Sequence, residues 1–366
     1  MKKILISGIF LLAALSSCRQ ARPEPRPTIP LVYSILADST GTAGLVARAG
    51  GAEGSIAIIG EPSDAIALAR RFQFSDRVDN ISGTASRDSL PDFAGESFDV
   101  VLDAYFSPYS EMVSGQEGLD SLREAAVKGA VFAWDSTCYR SQTDLRPLLF
   151  KQRAKILIFT SSLHSQYGLF DVDTLQQLCG GRSHLLSSAL QMIQKALDGG
   201  ARSIAVWTDR NTAASGAWEA VFSRFAGADA SLEVLFTDQA VDIRTEFRDL
   251  LRQYRSSGKS MDALILDSYS ADPSLLESEL SIIRLAGIEE DRVFDKLLSP
   301  SFTVIDPLST LVENTYRLLR KEHLFTHRIA LPAVKYYETE PAGDGEPILV
   351  EVAASYIQKA YVSDIH

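Results

Sequence analysis

The stretch S-I-A-I-I-G-E-P-S-D-A-I-A-L-A-R-R-F, residues 55–72, decides how the rest of the chain is read. It opens on a continuous apolar run, residues 55–59, short enough for a strand and apolar on both faces. Strands covered on both sides of a parallel sheet read this way. Glu61 and Pro62 interrupt the run. Asp64 then stands where a helix cap belongs, and Ala65, Ile66, Leu68, Ala69 and Phe72 follow at helical spacing. A strand, a polar turn and a helix make half of a βαβ unit.

The unit repeats along the chain. Strands are expected at 30–36, 55–59, 98–102, 130–134, 155–160, 203–207, 232–236, 263–266 and 302–305. Helices are expected at 64–72, 119–127, 185–197, 217–225, 245–254, 274–285 and 308–320, most of them stopping near a glycine. Such alternation implies parallel sheets, and nine strands are too many for one ordinary sheet. The expected fold class is therefore α/β, with two Rossmann-like lobes. Their boundary is expected in the polar stretch SSLHSQYG, residues 161–168. The tail holds one more strand candidate, 348–352, and a short apolar stretch, 356–362.

The chain has 366 residues and a net charge of −11, which argues against nucleic acid and anionic lipid surfaces as partners. Lys2 and Lys3, an apolar run over 4–15, Ser16, Ser17 and Cys18 follow one another in the order of a secretory signal. The segment L-S-S-C, residues 15–18, resembles the bacterial lipobox. That resemblance implies cleavage before Cys18, lipidation of its thiol, and a lipid-anchored protein of the cell envelope facing the periplasm of a Gram-negative bacterium. Cleavage would remove both lysines and no acid, leaving 34 basic against 47 acidic residues. Pro23, Pro25, Pro27 and Pro30 then make residues 18–29 a semi-stiff tether. Cys138 and Cys179 could pair in an oxidising compartment or stand as separate buried thiols.

From about residue 167 to 337 the order of features resembles the sugar-binding periplasmic proteins of the type I fold and the effector domain of lac-repressor-like regulators. The segments that carry the resemblance are YGLFDVDTLQQL, ARSIAVW, SGAWEAVFSRF, the strand and helix from MDALILDSYS onward, and FTVIDP with its helix. Two family features differ. Ala213, Ala214 and Ser215 stand where an Arg is usual, and Asp267-Ser268-Tyr269 replaces an Asn-Asp. The resemblance implies two lobes joined by a hinge. The first would hold 30–163 and about 300–322, the second 164–299 and about 323–338, with 339–366 as an extension. It implies capture of a small polar solute, sugar-like or nucleoside-like, for a membrane transporter or sensor.

Ligands of open parallel sheets bind outside the carboxyl ends of the strands. The residues that follow the expected strands are polar and aromatic. Among them Asp38, Tyr105, Asp135, Asp209, Asn211, Asp267 and Tyr269 are the expected ligand contacts. Carboxylates and amides would hold hydroxyl groups, and flat rings would stack on apolar faces. Glu61, Asp103 and His164 occupy comparable positions, while Asp64 and Asp306 look like helix caps. Trp134 and Trp207 read as core, and Trp218 opens a helix beside the expected cleft.

No catalytic set stands out. There is no G-x-S-x-G elbow and no phosphate-binding loop, and His323 and His327 in HLFTH lack the glutamate of a zinc motif. No cofactor, no metal and no enzyme are expected. A scaffold lipoprotein that has lost its ligand, or an envelope glycan hydrolase, stand as alternatives. A glycosidase would show two carboxylates facing across the cleft.

Overall fold

The computed structural model describes residues 26–38, 41–80, 83–225, 227, 229–237, 242–326, 328 and 330–362. Cys18 and most of the tether lie outside the described residues. The tether's last residues are tied to the body: Arg123 donates to the Pro27 carbonyl at 2.7 Å and Ile29 N–H to Asp171 Oδ1 at 3.1 Å.

Helices α1 (Pro30–Ala37) and α2 (Thr42–Ala47) precede strand β1 (Ser55–Gly60). Helix α3 (Pro62–Gln73) leads to β2 (Ser97–Leu102), and α4 (Gln116–Trp134) to β3 (Ala154–Phe159). Helices α5 (Ser162–Tyr167) and α6 (Leu169–Cys179) precede the short β4 (His184–Ser187). Helix α7 (Ser188–Asp198) crosses to a second sheet made by β5 (Ser203–Thr208), β6 (Ser231–Phe236), β7 (Met261–Leu266) and β8 (Leu298–Ile305). Helices α8 (Arg210–Ala214) and α9 (Ala217–Phe222) lie between β5 and β6, α10 (Ile243–Tyr254) between β6 and β7, and α11 (Pro273–Leu285) and α12 (Glu289–Leu297) between β7 and β8. Helix α13 (Pro307–Lys321) returns to the first sheet, which closes with β9 (Ala333–Pro341) and β10 (Pro347–Val352).

The first sheet runs β10-β9-β2-β1-β3-β4 and the second β6-β5-β7-β8. All pairs are parallel except β9 with β10. The α/β class with parallel-sheet, Rossmann-like lobes is thus observed. β1 is buried along its whole length and serves two cores. Ile56 and Ile58 pack with Ala65, Ile66, Leu68, Ala69 and Phe72 of α3 and with Leu311 and Leu319 of α13. Ala57 and Ile59 pack on the other face, against Ala126, Ala130 and Ala133 of α4. This is the period-two alternation of a strand covered on both sides, each large side chain contributing roughly 1.5–3 kcal/mol by leaving water.

Two expected strands are helices. Residues 30–36 form α1, because Pro30 fits the first helical turn and the run buries one side only: Val32 is inside while Tyr33 is 60% exposed. Residues 130–134 are the last turns of α4. Gly129, read as a stop, sits inside that helix where a Cβ would come within 2.7 Å of Ile59 Cγ2. It is a close-approach position between helix and sheet, not a terminus. The expected division of lobes also shifts. β4 keeps the chain in the first sheet to Ser187, β8 belongs to the second sheet, and β9 and β10, expected in the second lobe and in an extension, complete the first.

The lobes are packed on one another along α7. One apolar cluster runs from Ala57, Ile59 and Phe159 through Met192 and Ile193 of α7 to Ile204, Val206, Ala263 and Ile265 of the second sheet. Cys138 and Cys179 are both free thiols, and burial raises each one's pKa, that of Cys138 to about 11.

Candidate functional site

Each sheet reverses direction once. From β1 the chain goes outward to β2 and then returns to the other side as β3; β5, β6 and β7 repeat the pattern. A crevice opens at the carboxyl ends of the strands at such a reversal. In the first lobe the reversal brings Glu61 together with Thr160, Ser161 and Ser162. In the second it brings Thr208 and Asp209 together with Asp267 and Ser268. These two reversal points face each other. The Ser162 hydroxyl donates to Asp267 Oδ2 at 2.7 Å, and the Tyr269 hydroxyl donates to the Thr160 carbonyl at 2.9 Å. At Gly60 a Cβ would lie 1.8 Å from Thr160 Oγ1, so the close meeting of β1 and β3 there needs glycine.

Asp267 is the most heavily held of these groups. Its Oδ2 accepts from Ser162 Oγ, from Thr208 Oγ1 at 2.8 Å and from the Trp218 indole N–H at 2.9 Å. Burial raises its pKa, and the three donors oppose that rise. Its Oδ1 accepts no hydrogen bond among the described residues. Asp267 lines a cavity of about 430 Å³ together with Trp207, Asp209, Glu246, Ser268 and Ser270. Asp209 caps α8, accepting from Asn211 and Thr212 N–H, and the Trp207 indole donates to Thr237 Oγ1 at 3.1 Å.

Across from Asp267 stand the carboxyl groups of the first lobe. Glu61 Oε1 accepts from Tyr109 N–H at 2.6 Å. Its pKa is raised, by burial first and then by the charges of Asp209, Asp103 and Asp267. Asp64, in the first turn of α3, is raised to about 7 by burial and by the charges of Glu61 and Asp267. Its carboxylate does not cap the helix, and its hydrogen-bond partner is Ser63 Oγ at 3.3 Å. Asp103 has a framework role: it accepts from the Tyr109 hydroxyl at 2.7 Å and from Thr339 Oγ1 at 2.9 Å. His164 packs behind this group, its ring centroid 4.3 Å from that of Tyr109. It is fully buried, neither ring nitrogen has a hydrogen-bond partner among the described residues, and burial lowers its pKa to about 3, so the ring is neutral.

The expected ligand residues divide. Asp209, Asp267 and Tyr269 meet at the seam, although Tyr269 is buried and its hydroxyl is spent on Thr160. Asn211 lines a neighbouring crevice with Ser110, Glu111 and Ser114. Tyr105 lies on the first lobe, its hydroxyl donating to the Gly345 carbonyl at 2.8 Å. Asp38 and Asp135 are displaced from the seam because the segments before them are helices; they are the C-caps of α1 and α4. Trp218 belongs to the site through its indole, and Trp134 is core. Asp64 was hidden in the sequence behind its resemblance to a cap. Neither cysteine joins the seam: Cys138 bridges to Leu148, and Cys179 ends α6. Among the described residues no group of three His, Cys, Asp or Glu stands ready for a metal, and no helix is long and apolar enough to cross a membrane.

No protein-family model matches this chain, and no curated protein matches it. Solved structures similar to it include a glutamate racemase from Francisella tularensis in complex with D-glutamate, at TM-score 0.47 and 14% identity over 80% of this chain and 91% of that one. A glutamate racemase isoform from Bacillus anthracis gives 0.46 and 13% over 78% and 89%. An aspartate racemase homologue from Pyrococcus horikoshii gives 0.40 and 14% over 73% and 99%. These neighbours correct the sequence expectations on three points. They are amino-acid racemases and not type I periplasmic binding proteins, so the family resemblance is withdrawn. Solute capture for a transporter or sensor, with its scaffold and glycan-hydrolase alternatives, falls with it. The neighbours are also enzymes, against the expectation of none. At such identities no residue role passes from them to this chain.

Proposed function

We propose that the chain is an enzyme that moves a proton on a small, amine-bearing substrate at the seam between its lobes. The observation that carries this reading is the meeting of the two reversal points, each of which bears carboxyl groups, joined by the Ser162–Asp267 and Tyr269–Thr160 hydrogen bonds. Asp64 from the first lobe feels both Glu61 beside it and Asp267 across the seam. A carboxyl group with a pKa near neutrality takes up and returns a proton with comparable ease. Asp64, raised to about 7 and held by Ser63, has that property. Asp267 is fixed by three donors and supplies a stationary acceptor through Oδ1. Asp64 is thus the proposed acid and base, Glu61 its neighbour that keeps the proton affinity high, and Asp267 with Asp209 the anchor for an ammonium group. The charges felt at Asp64 are negative, so a cationic substrate gains most there. A dicarboxylate would add charge of the same sign.

The test is solvent-deuterium entry into carbon-bound positions of a panel of amines and amino acids, followed by NMR. The expected result is exchange in an amine-bearing compound, with a rate that follows one ionisation near pH 7. Asp64→Asn should slow it by roughly 100-fold or more. Folded protein that exchanges no compound of the panel would end this reading.

A further inference from the structure

A second cavity, of about 470 Å³, lies at the far end of α3 and is lined by Arg71, Phe74, Ser75, Asp76, Arg77, Arg87 and Ser309. Three arginines and one aspartate therefore line it, in a chain whose net charge is −11. The reason for the imbalance is local. The loop after α3 is rich in aspartate, but the carboxylates of Asp76, Asp88 and Asp92 are turned to backbone and hydroxyl donors. Asp92 accepts from Ser75 Oγ at 2.5 Å, Val78 N–H at 2.9 Å and Arg77 N–H at 3.1 Å. Asp76 accepts from Asp88 N–H at 3.1 Å, and Asp88 from Asn80 and Leu90 N–H at 2.9 Å. The arginines are left with little. Arg77 pairs with Glu313 at 2.9 Å, but Glu313 is shared with Lys195 at 3.0 Å. Among the described residues Arg71 reaches only Ser309 Oγ, at 3.5 Å. Arg87 makes no hydrogen bond or ion pair among the described residues. Beside them the Phe74 ring is 76% exposed.

Guanidinium groups match tetrahedral oxyanions with paired, charge-assisted hydrogen bonds, and an exposed ring offers a flat apolar face. We infer that this cavity binds a phosphomonoester, with its dianionic head between Arg71, Arg77 and Arg87 and its organic part against Phe74. The site is separate from the seam: α3 places Asp64 in its first turn and Arg71 in its last.

The experiment is calorimetric titration of the full chain at low salt with inorganic phosphate and with phenyl phosphate. Both should bind, phenyl phosphate several-fold more tightly, and both should weaken as sodium chloride is raised. Arg71→Gln and Arg87→Gln should each weaken both ligands about tenfold or more, the scale of one lost charge-assisted bond. Both arginines are exposed, and unchanged melting curves would show the variants folded. Phe74→Ala should abolish the advantage of phenyl phosphate and leave inorganic phosphate as it was. Arg146→Gln, at an exposed pair with Asp144, should change neither affinity. Absence of binding by either ligand, or wild-type affinity in the Arg71→Gln/Arg87→Gln double variant, would overturn the site. Equal affinity for the two ligands would overturn the ester and leave a site for phosphate itself.

Discussion

Helix α3 joins two regions of opposite character, about 10 Å apart along its axis. At its start Asp64 meets Glu61 and Asp267, and burial with like charge pushes protons onto the carboxyl groups. At its end Arg71 faces a cavity where arginines outnumber acids. Both arrangements agree with the helix dipole, which favours anions at the start and cations at the end. The physical difference lies in solvent. The acidic end is half-buried beside the seam, so its charges are costly and shift their titration. The arginine end is open, so its charges persist and await a counter-ion. Net charge says nothing about either, because both follow from which donors each carboxylate has been given.

The contrast can be broken most strongly at Asp267. Asp267→Ala would leave Ser162, Thr208 and Trp218 without their common acceptor, at a cost of about 3 kcal/mol or more, measurable by urea denaturation. An unchanged midpoint would mean that the two reversal points are not held together through this residue. Asp64 offers a subtler test. The folded chain binds its proton up to about pH 7 and the unfolded chain only up to about the ordinary aspartate value of 3.8. Between these values the folded state holds more protons, so its stability falls as pH rises through the window. Asp64→Asn should remove that slope, raising the melting temperature at pH 8 relative to wild type by roughly 2 °C while changing little at pH 4. The smallest effect should come from Tyr269→Phe, which removes one bond to Thr160 and should cost about 1 kcal/mol in the same denaturation assay.

The strand-turn-helix of residues 55–72 was legible because its apolar spacing changes period at a proline, and tertiary packing reinforced that local signal. The run at 130–134 was not, because a buried helix end made of Ala, Val, Phe and Trp looks the same as a buried strand when the sheet it covers is unseen. That single error carried Asp135 into the expected site and its true place, a helix C-cap, out of view. Asp38 followed the same route. Asp209, Asp267 and Tyr269 follow strands that the sequence places correctly, so their position at the strand ends is legible. Asp64 was seen but given a capping role, because sequence shows that a carboxyl group stands in a first turn and not which donors it lacks.

By itself the sequence determined the class of fold, the β1–α3 and β5–β7 units and the polar residues at their strand ends, since these depend on periodicity within a dozen residues. Tertiary structure alone decided which lobe each strand joins, that the two reversal points face each other, and that the lobes are packed together along α7. It also decided which acids meet at the seam and which arginines are left without carboxylates. Those outcomes rest on contacts between residues far apart in the chain, and no local pattern encodes the pairing of one long-range partner over another.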